Sequence, residues 1–192
     1  MAQTRKGVVM MLQRDLYQKL RAESVVAHQR LVDILRPFAP AQLHEHPEPT
    51  GWSVAQVAEH LCVSHETTAA AAASVSRNAR PDAGAPAREW KPTLLGNMIA
   101  NSLQNPRKLK SPKVFQPGPS PRNGVVEALI GFELEFVSAL DSAQSLDWRA
   151  LKVGSPALWS WAPKLNFGDG FKIHVVHVAR HTKQIERVIA ML

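Results

Sequence analysis

The stretch GWSVAQVAEHL, residues 51–61, contains the clearest helix start in this sequence. Ser53 can cap a helix, and Gln56, three residues later, can reach back to the Ser53 backbone and complete a capping box. Trp52 and Val57 occupy the two positions of a hydrophobic staple. The stretch therefore predicts that a long helix begins at Ser53.

Similar apolar periodicity, interrupted by proline and glycine, recurs along the chain. It predicts four long helices near residues 9–35, 53–78, 123–142 and 167–192, and a shorter one near 93–105. The expected apolar stripe of the third long helix consists of Val126, Leu129, Ile130, Leu134 and Val137. No strand is predicted. We expect an all-α four-helix bundle forming a single domain over residues 1–192, with a long proline-rich loop between the second and third long helices.

Cysteine content and the N-terminus indicate the compartment. Cys62 is the only cysteine, which excludes an internal disulfide and suits a reducing environment. The apolar run at residues 8–12 is too short for a signal sequence of the usual kind and for a membrane span. We therefore expect a cytoplasmic protein with no membrane association.

The formal net charge of +7 has one main source. Residues 91–125 contain no acidic side chain but six basic ones, namely Lys91, Arg107, Lys108, Lys110, Lys113 and Arg122. Prolines make this segment irregular, aromatic residues are sparse in it, and it carries no nucleic-acid-binding motif. We interpret the part around Arg107 to Arg122 as a solvated basic loop and expect no nucleic-acid partner, although such a loop would also attract an anionic small-molecule substrate.

The C-terminal stretch HVVHVARHTKQIERVI, residues 174–189, places His174, His177 and His181 on one helix face, because residues three or four positions apart share a face. Buried imidazoles need polar partners, and a metal can be one of them. With 8 histidines in 192 residues, chance gives about 0.3 pairs at spacing four, so spacing alone leaves ordinary core or surface histidines open. Val178 follows His177, so the zinc-protease pattern H-E-x-x-H is absent.

The second predicted helix offers a third ligand. His60 lies three residues after Val57, at the edge of the predicted buried face. Facing helices hold metals in bundle cores, and three neutral imidazoles with an open fourth position form the ligand set of a catalytic zinc site. At this point a metal site and ordinary packing remain equally open.

Two distant segments, GWSVAQVAEHL and FGDGFKIHVVHVARHTKQIERV, together resemble the DinB-like family, which includes YfiT-type metal-dependent hydrolases. Members of that family are four-helix bundles in which three histidines hold a divalent metal. One histidine follows the WS helix start, and two come from an H-x-x-x-H in the last helix, followed shortly by QI. The resemblance implies that His60, His177 and His181 are the metal ligands, with Gln184 and Ile185 as the trailing pair.

The same resemblance implies a pocket and a chemistry. Arg180 and Gln184 are pocket candidates, and His174, which is not a usual ligand, either lines the pocket or is a satisfied core residue. The family is similar to enzymes that use small thiols such as glutathione, mycothiol or bacillithiol, and dimers are common in it. Zinc or nickel is the favoured metal and iron is an alternative. Such a metal lowers the pKa of bound water or thiol.

We therefore expect a divalent-metal-dependent enzyme of the small-thiol S-transferase or hydrolase kind, acting on a small molecule. A non-catalytic, dimeric metal- or small-molecule-binding protein and a structural dimerising bundle are the alternatives. Around the site we expect Cys62 to be a packing residue, and Glu59 and His65 to lie on the surface. Glu133 and Glu135 are either partners of a ligand imidazole or members of surface salt bridges.

Overall fold

The computed structural model describes residues 11–47, 51–105, 110–118, 120–158 and 161–192. Its six α-helices are α1 (Gln13–Leu35), α2 (Pro40–Leu43), α3 (Val54–Arg77), α4 (Leu94–Gln104), α5 (Val125–Ser142) and α6 (Phe167–Ile189). Single 3-10 turns occupy Ala85–Ala87 and Lys113–Phe115. The prediction of a mainly helical protein is confirmed. Among the described helices, none combines the length and the apolar character that a bilayer crossing requires.

Four two-residue strands join loops to the helical core. The antiparallel pairs are β1 (Met11–Leu12) with β2 (Glu89–Trp90), and β3 (Lys152–Val153) with β4 (Leu165–Asn166). The prediction that the chain has no strands is therefore wrong. Two residues are too few to show the period-two alternation by which a strand is recognised in a sequence.

The predicted start of α3 is confirmed in atomic detail. Ser53 Oγ accepts a hydrogen bond from Gln56 N at 3.2 Å, and Ser53 N donates to Gln56 Oε1 at 3.1 Å. An equivalent capping box opens α6, where Asn166 Oδ1 accepts from Asp169 N at 2.8 Å. These two caps determine where the helices with the candidate metal ligands begin.

The four long helices pack against one another around a shared interior. α1 and α3 each contact both α5 and α6, and the short helix α4 lies along α6. The part of the interior that the described residues form contains two hydrophobic clusters. The first includes Leu31, Leu35, Val57, Leu61, Leu129, Val178 and Ile185, and the second includes Leu16, Leu20, Phe136, Leu140, Trp148 and Phe171. α3 and α6 are thereby held side by side.

The predicted apolar stripe of α5 is partly wrong. The buried positions are Val125, Leu129, Glu133, Phe136 and Leu140. Leu134, which was predicted to belong to the apolar stripe, is instead 56% exposed. The acidic residue Glu133 lies on the buried face of α5. Because it interrupts the apolar pattern of that face, the sequence indicated a stripe of neighbouring apolar residues instead.

The first helix begins later than predicted. The expected start at Val9 lies outside the described residues, and α1 begins at Gln13. Of the apolar residues of α1, Leu16, Leu20 and Leu31 are buried, whereas Val25 is 46% exposed.

Candidate metal centre

The contact between α3 and α6 brings three histidines together. His60 Nε2 lies 3.0 Å from His177 Nε2 and 3.2 Å from His181 Nε2. One ring nitrogen from each of the three residues lies within 4.8 Å of the corresponding nitrogens of the other two. His60 comes from the second turn of α3, and His177 and His181 stack one turn apart on α6. These are the three residues that the resemblance implied as ligands.

The outer ring nitrogens of two of these histidines face oxygen acceptors. His60 Nδ1 lies 2.6 Å from the backbone carbonyl oxygen of Phe115, and His181 Nδ1 lies 2.8 Å from Gln184 Oε1. Because these oxygens accept hydrogen bonds, each Nδ1 carries the hydrogen and each Nε2 carries a lone pair. The tautomer that directs Nε2 toward the cluster is thus selected by the surrounding chain.

Burial also keeps the cluster uncharged. Desolvation is the main cause that lowers the pKa of His60, and it lowers the pKa of His177 well below the usual histidine value. The pKa of His181 falls to about 3, first through burial and then through repulsion by the neighbouring charge of a protonated His60. At neutral pH all three imidazoles are therefore neutral, which is the form that binds a divalent cation.

The donor set fits a metal ion better than it fits hydrogen bonding alone. A hydrogen on His177 Nε2 could satisfy its contact with His60, but the 3.2 Å contact between His60 and His181 then joins two lone pairs. A cation shared between the nitrogens removes that repulsion. Tetrahedral zinc with bonds of about 2.0–2.1 Å to nitrogen separates its ligands by about 3.3–3.4 Å, close to the observed spacing.

The histidine cluster opens on a cavity of about 1470 Å³. The pocket candidates His174, Arg180 and Gln184 all line this cavity. Arg180 Nη1 also donates to the carbonyl oxygens of Leu103 and Asn105, at 3.0 and 2.6 Å. It thereby holds the C-terminal end of α4 against α6, a structural contribution in addition to the predicted position at the pocket.

His174 stands beside the cluster without joining it. Its ring stacks on Phe136 with the centroids 3.8 Å apart, and its Nε2 lies 3.3 Å from Glu133 Oε1. Glu133 is only 2% exposed, so the interpretation of this carboxylate as part of a surface salt bridge is wrong. Its partner is the pocket residue His174.

Two residues expected on the surface are buried. Glu59 is 8% exposed, and its carboxylate accepts hydrogen bonds from Arg122 Nε at 2.9 Å and from Arg122 Nη2 at 3.0 Å. His65 is 7% exposed and stacks on Phe132 with a centroid distance of 4.8 Å. Both predictions are wrong because elements distant in the sequence cover these positions, which the periodicity of α3 alone does not show.

The predicted packing role of Cys62 is confirmed. The side chain is fully buried, and burial raises the pKa of its thiol to about 12. This cysteine is therefore no nucleophile at neutral pH.

The basic segment is not uniformly solvated, contrary to the prediction. Arg122 is ion-paired with both Glu59 and Glu66, and Lys110 lines the cavity. Arg107 and Lys108 lie outside the described residues. The positive charge of Arg122 is thus neutralised by two glutamates of α3.

Sequence reasoning missed two contributors to the site. Phe115 supplies only a backbone oxygen, so no residue-type signal could have identified it. Ser64 lines the cavity and lies four residues after His60, so its position on the ligand face of α3 was a usable signal.

The mainly helical fold and the three converging histidines are together typical of helical metal-binding proteins. A family model described as the DinB superfamily matches residues 25–185, and the chain belongs to that superfamily. The superfamily is metal-binding, in agreement with the histidine cluster. Neither the curated proteins nor the solved structures contain a match to the chain.

Proposed function

We propose that the protein is a divalent-metal-dependent enzyme of the small-thiol S-transferase or hydrolase kind, with His60, His177 and His181 as the metal ligands. One observation carries the proposal. Three neutral imidazole nitrogens converge at the wall of a cavity of about 1470 Å³. Zinc and nickel are the favoured metals, and iron is the alternative, because imidazole ligands suit all three.

The residues around the cluster have distinct tasks. A divalent metal held by His60, His177 and His181 would supply Lewis acidity and would lower the pKa of a thiol or water molecule that binds to it. The carbonyl of Phe115 and the amide of Gln184 orient the imidazoles of His60 and His181. Such outer contacts fix the tautomer and raise the basicity of a ligand.

Two features favour an external thiol as the nucleophile. Cys62, the only cysteine, is buried with a raised pKa and cannot supply a thiolate. The cavity is also larger than the roughly 300–1000 Å³ of ordinary ligand pockets, so that a thiol cosubstrate and an electrophile fit together. These features support a transferase more than a hydrolase.

The remaining parts of the proposal concern the whole molecule. The mutual contacts of α1, α3, α5 and α6 support a four-helix bundle as the finer description of the fold. We propose a single domain, a homodimer, a cytoplasmic location and a small-molecule substrate. The resemblance to the family supports the dimer, and the single cysteine is compatible with the location.

A thiol-dependent screen tests this proposal. The metal-loaded protein is incubated with an electrophile, monochlorobimane, and with glutathione, mycothiol or bacillithiol, before and after treatment with a chelator. We expect turnover with at least one thiol, and its loss both on chelation and in the His177→Ala/His181→Ala variant. His44→Ala is the matched control, because His44 is exposed and lies outside the cluster. Turnover that is indifferent to the chelator would contradict the catalytic role of the metal.

A further inference from the structure

The cavity continues well beyond the histidine cluster. On α3 its lining runs from His60 to Ser76, which are about 24 Å apart along the helix axis at the usual rise per residue. Past the cluster the walls are mostly apolar. They include Ala69, Ala72, Ala139, Phe136, Phe171 and Leu146. The small alanine side chains leave the space open, so that the cavity is elongated along α3.

In the part of the cavity beyond the cluster, called the channel below, the side-chain oxygen of Ser64 is buried and has no hydrogen-bond partner among the described residues. The Nε2 atom of His174 is also buried and makes no hydrogen bond there, although it lies 3.3 Å from the carboxylate of Glu133. Ser64 as a whole is 7% exposed and lines the channel. A buried polar group without a partner costs about 1–3 kcal/mol, so each such group in a native structure calls for an explanation.

Ser64 differs from other hydroxyl residues of the same helix. Thr67, Thr68 and Ser76 each donate to the carbonyl oxygen four residues earlier, at 2.6, 2.7 and 2.6 Å. The Ser64 hydroxyl makes no such bond, although the carbonyl oxygen of His60 is the corresponding acceptor. Its hydrogen-bonding capacity therefore remains available at the channel wall.

His174 has a comparable position on the opposite helix. Its Nε2 faces the buried carboxylate of Glu133 at 3.3 Å, while the residue lines the channel. His65, which also lines the channel, has its Nε2 3.7 Å from Glu135 Oε2. Two carboxylates thus stand next to the polar part of the channel, and they disfavour a negatively charged ligand there.

We infer that the channel is a binding site for an elongated, mostly apolar and uncharged molecule, whose hydroxyl or carbonyl group hydrogen-bonds to Ser64 and His174 one helical turn from the histidine cluster. The apolar part of this molecule lies along the alanine wall of α3. The inference rests on the proposed function in one respect, because it makes this molecule the second substrate beside the thiol. The bound polar group gives the Ser64 hydroxyl the hydrogen-bond partner that it otherwise lacks.

Straight-chain 1-alkanols from hexanol to decanol are suitable probes, because each carries one hydroxyl and an apolar chain of adjustable length. Their binding is measured by displacement of the fluorophore N-phenyl-1-naphthylamine. The affinity should rise about three- to fourfold with each added methylene, as expected when the methylene leaves water for an apolar wall. Affinity that does not depend on chain length, or alkanols that do not displace the fluorophore, would overturn the inference.

Variants of α3 test the position of the site. Ala69→Trp fills the channel, and should abolish the dependence on chain length. Ala70→Trp is the matched control, because Ala70 is exposed and does not line the channel. It should preserve the dependence. Equal behaviour of the two variants would place the alkanol elsewhere and overturn the inference, and Ala69→Met provides a milder obstruction with the same expected direction.

Ser64→Ala separates a binding role from a structural one. The variant should bind every alkanol about fivefold more weakly, the usual effect of one lost hydrogen bond, with a melting temperature equal to or above that of the wild type. Unchanged alkanol affinity, or a lower melting temperature without a change in affinity, would overturn the inference. The same titrations on His177→Ala/His181→Ala should give unaltered chain-length dependence, so that failure of the metal proposal remains distinguishable from failure of this one.

Discussion

Replacing Gln184 with leucine should weaken metal binding by about 10- to 100-fold. Gln184 Oε1 accepts the hydrogen bond from His181 Nδ1 at 2.8 Å and so directs His181 Nε2 toward the cluster. The net value of one hydrogen bond, about 1 kcal/mol, alone corresponds to about fivefold. Loss of ring orientation and tautomer selection adds to this, and removal of such partners typically costs about 10- to 100-fold in affinity for the metal.

The assay is competition for zinc between the protein and a chromophoric chelator at neutral pH. Gln184→Glu is the matched control, because a carboxylate still accepts from His181 Nδ1 and should preserve or strengthen binding. Urea denaturation of the metal-free variants verifies that both remain folded. If Gln184→Leu binds zinc as tightly as the wild type, the 2.8 Å contact does not orient a metal ligand and the reasoning fails.

Three further predictions concern stability and reactivity. Arg122→Ala should lower the free energy of unfolding by about 2–3 kcal/mol in urea denaturation, because it leaves the buried Glu59 carboxylate without its partner, and an unaltered transition would contradict this. In the metal-free protein the free energy of unfolding should fall as the pH drops below about 6.5, because burial lowers the pKa of His181 to about 3 and the unfolded chain then binds more protons than the folded one. Urea titrations at several pH values should show a slope of up to about 1.4 kcal/mol per pH unit from this residue. A flat profile would argue against a neutral buried cluster. Iodoacetamide should leave Cys62 unmodified in the native protein and alkylate it in urea, as mass spectrometry would show, and rapid native alkylation would contradict its burial.

Features that depend on local sequence were predictable. The capping box of Ser53 and Gln56 marks the start of α3 because both partners lie within one helical turn. The shared face of His177 and His181 follows from their spacing on a helix. The position of His60 on the second predicted helix made it a candidate third ligand, and the family resemblance was needed to select it, because spacing within one helix carries no information about the helix that it faces.

Features that depend on distant parts of the chain were not predictable in the same way. Glu59 is buried because Arg122, 63 residues away, covers it with a charged partner. His65 is buried because Phe132 of α5 stacks on its ring. The carbonyl oxygen that orients His60 belongs to the backbone, and every residue has such an oxygen. The apolar periodicity of a helix indicates its buried face only where that face is apolar. It does not indicate which polar positions are covered by other elements of the chain.

Anomalous diffraction from crystals of the zinc-loaded protein would test the central claim most directly. We expect one strong peak at about 2.0–2.1 Å from the Nε2 atoms of His60, His177 and His181. Soaking with zinc in excess and recording data on both sides of the zinc absorption edge identifies the element. Crystals that contain zinc bound by other residues, or that show no peak between these three nitrogens, would contradict the assignment of the cluster as a metal centre.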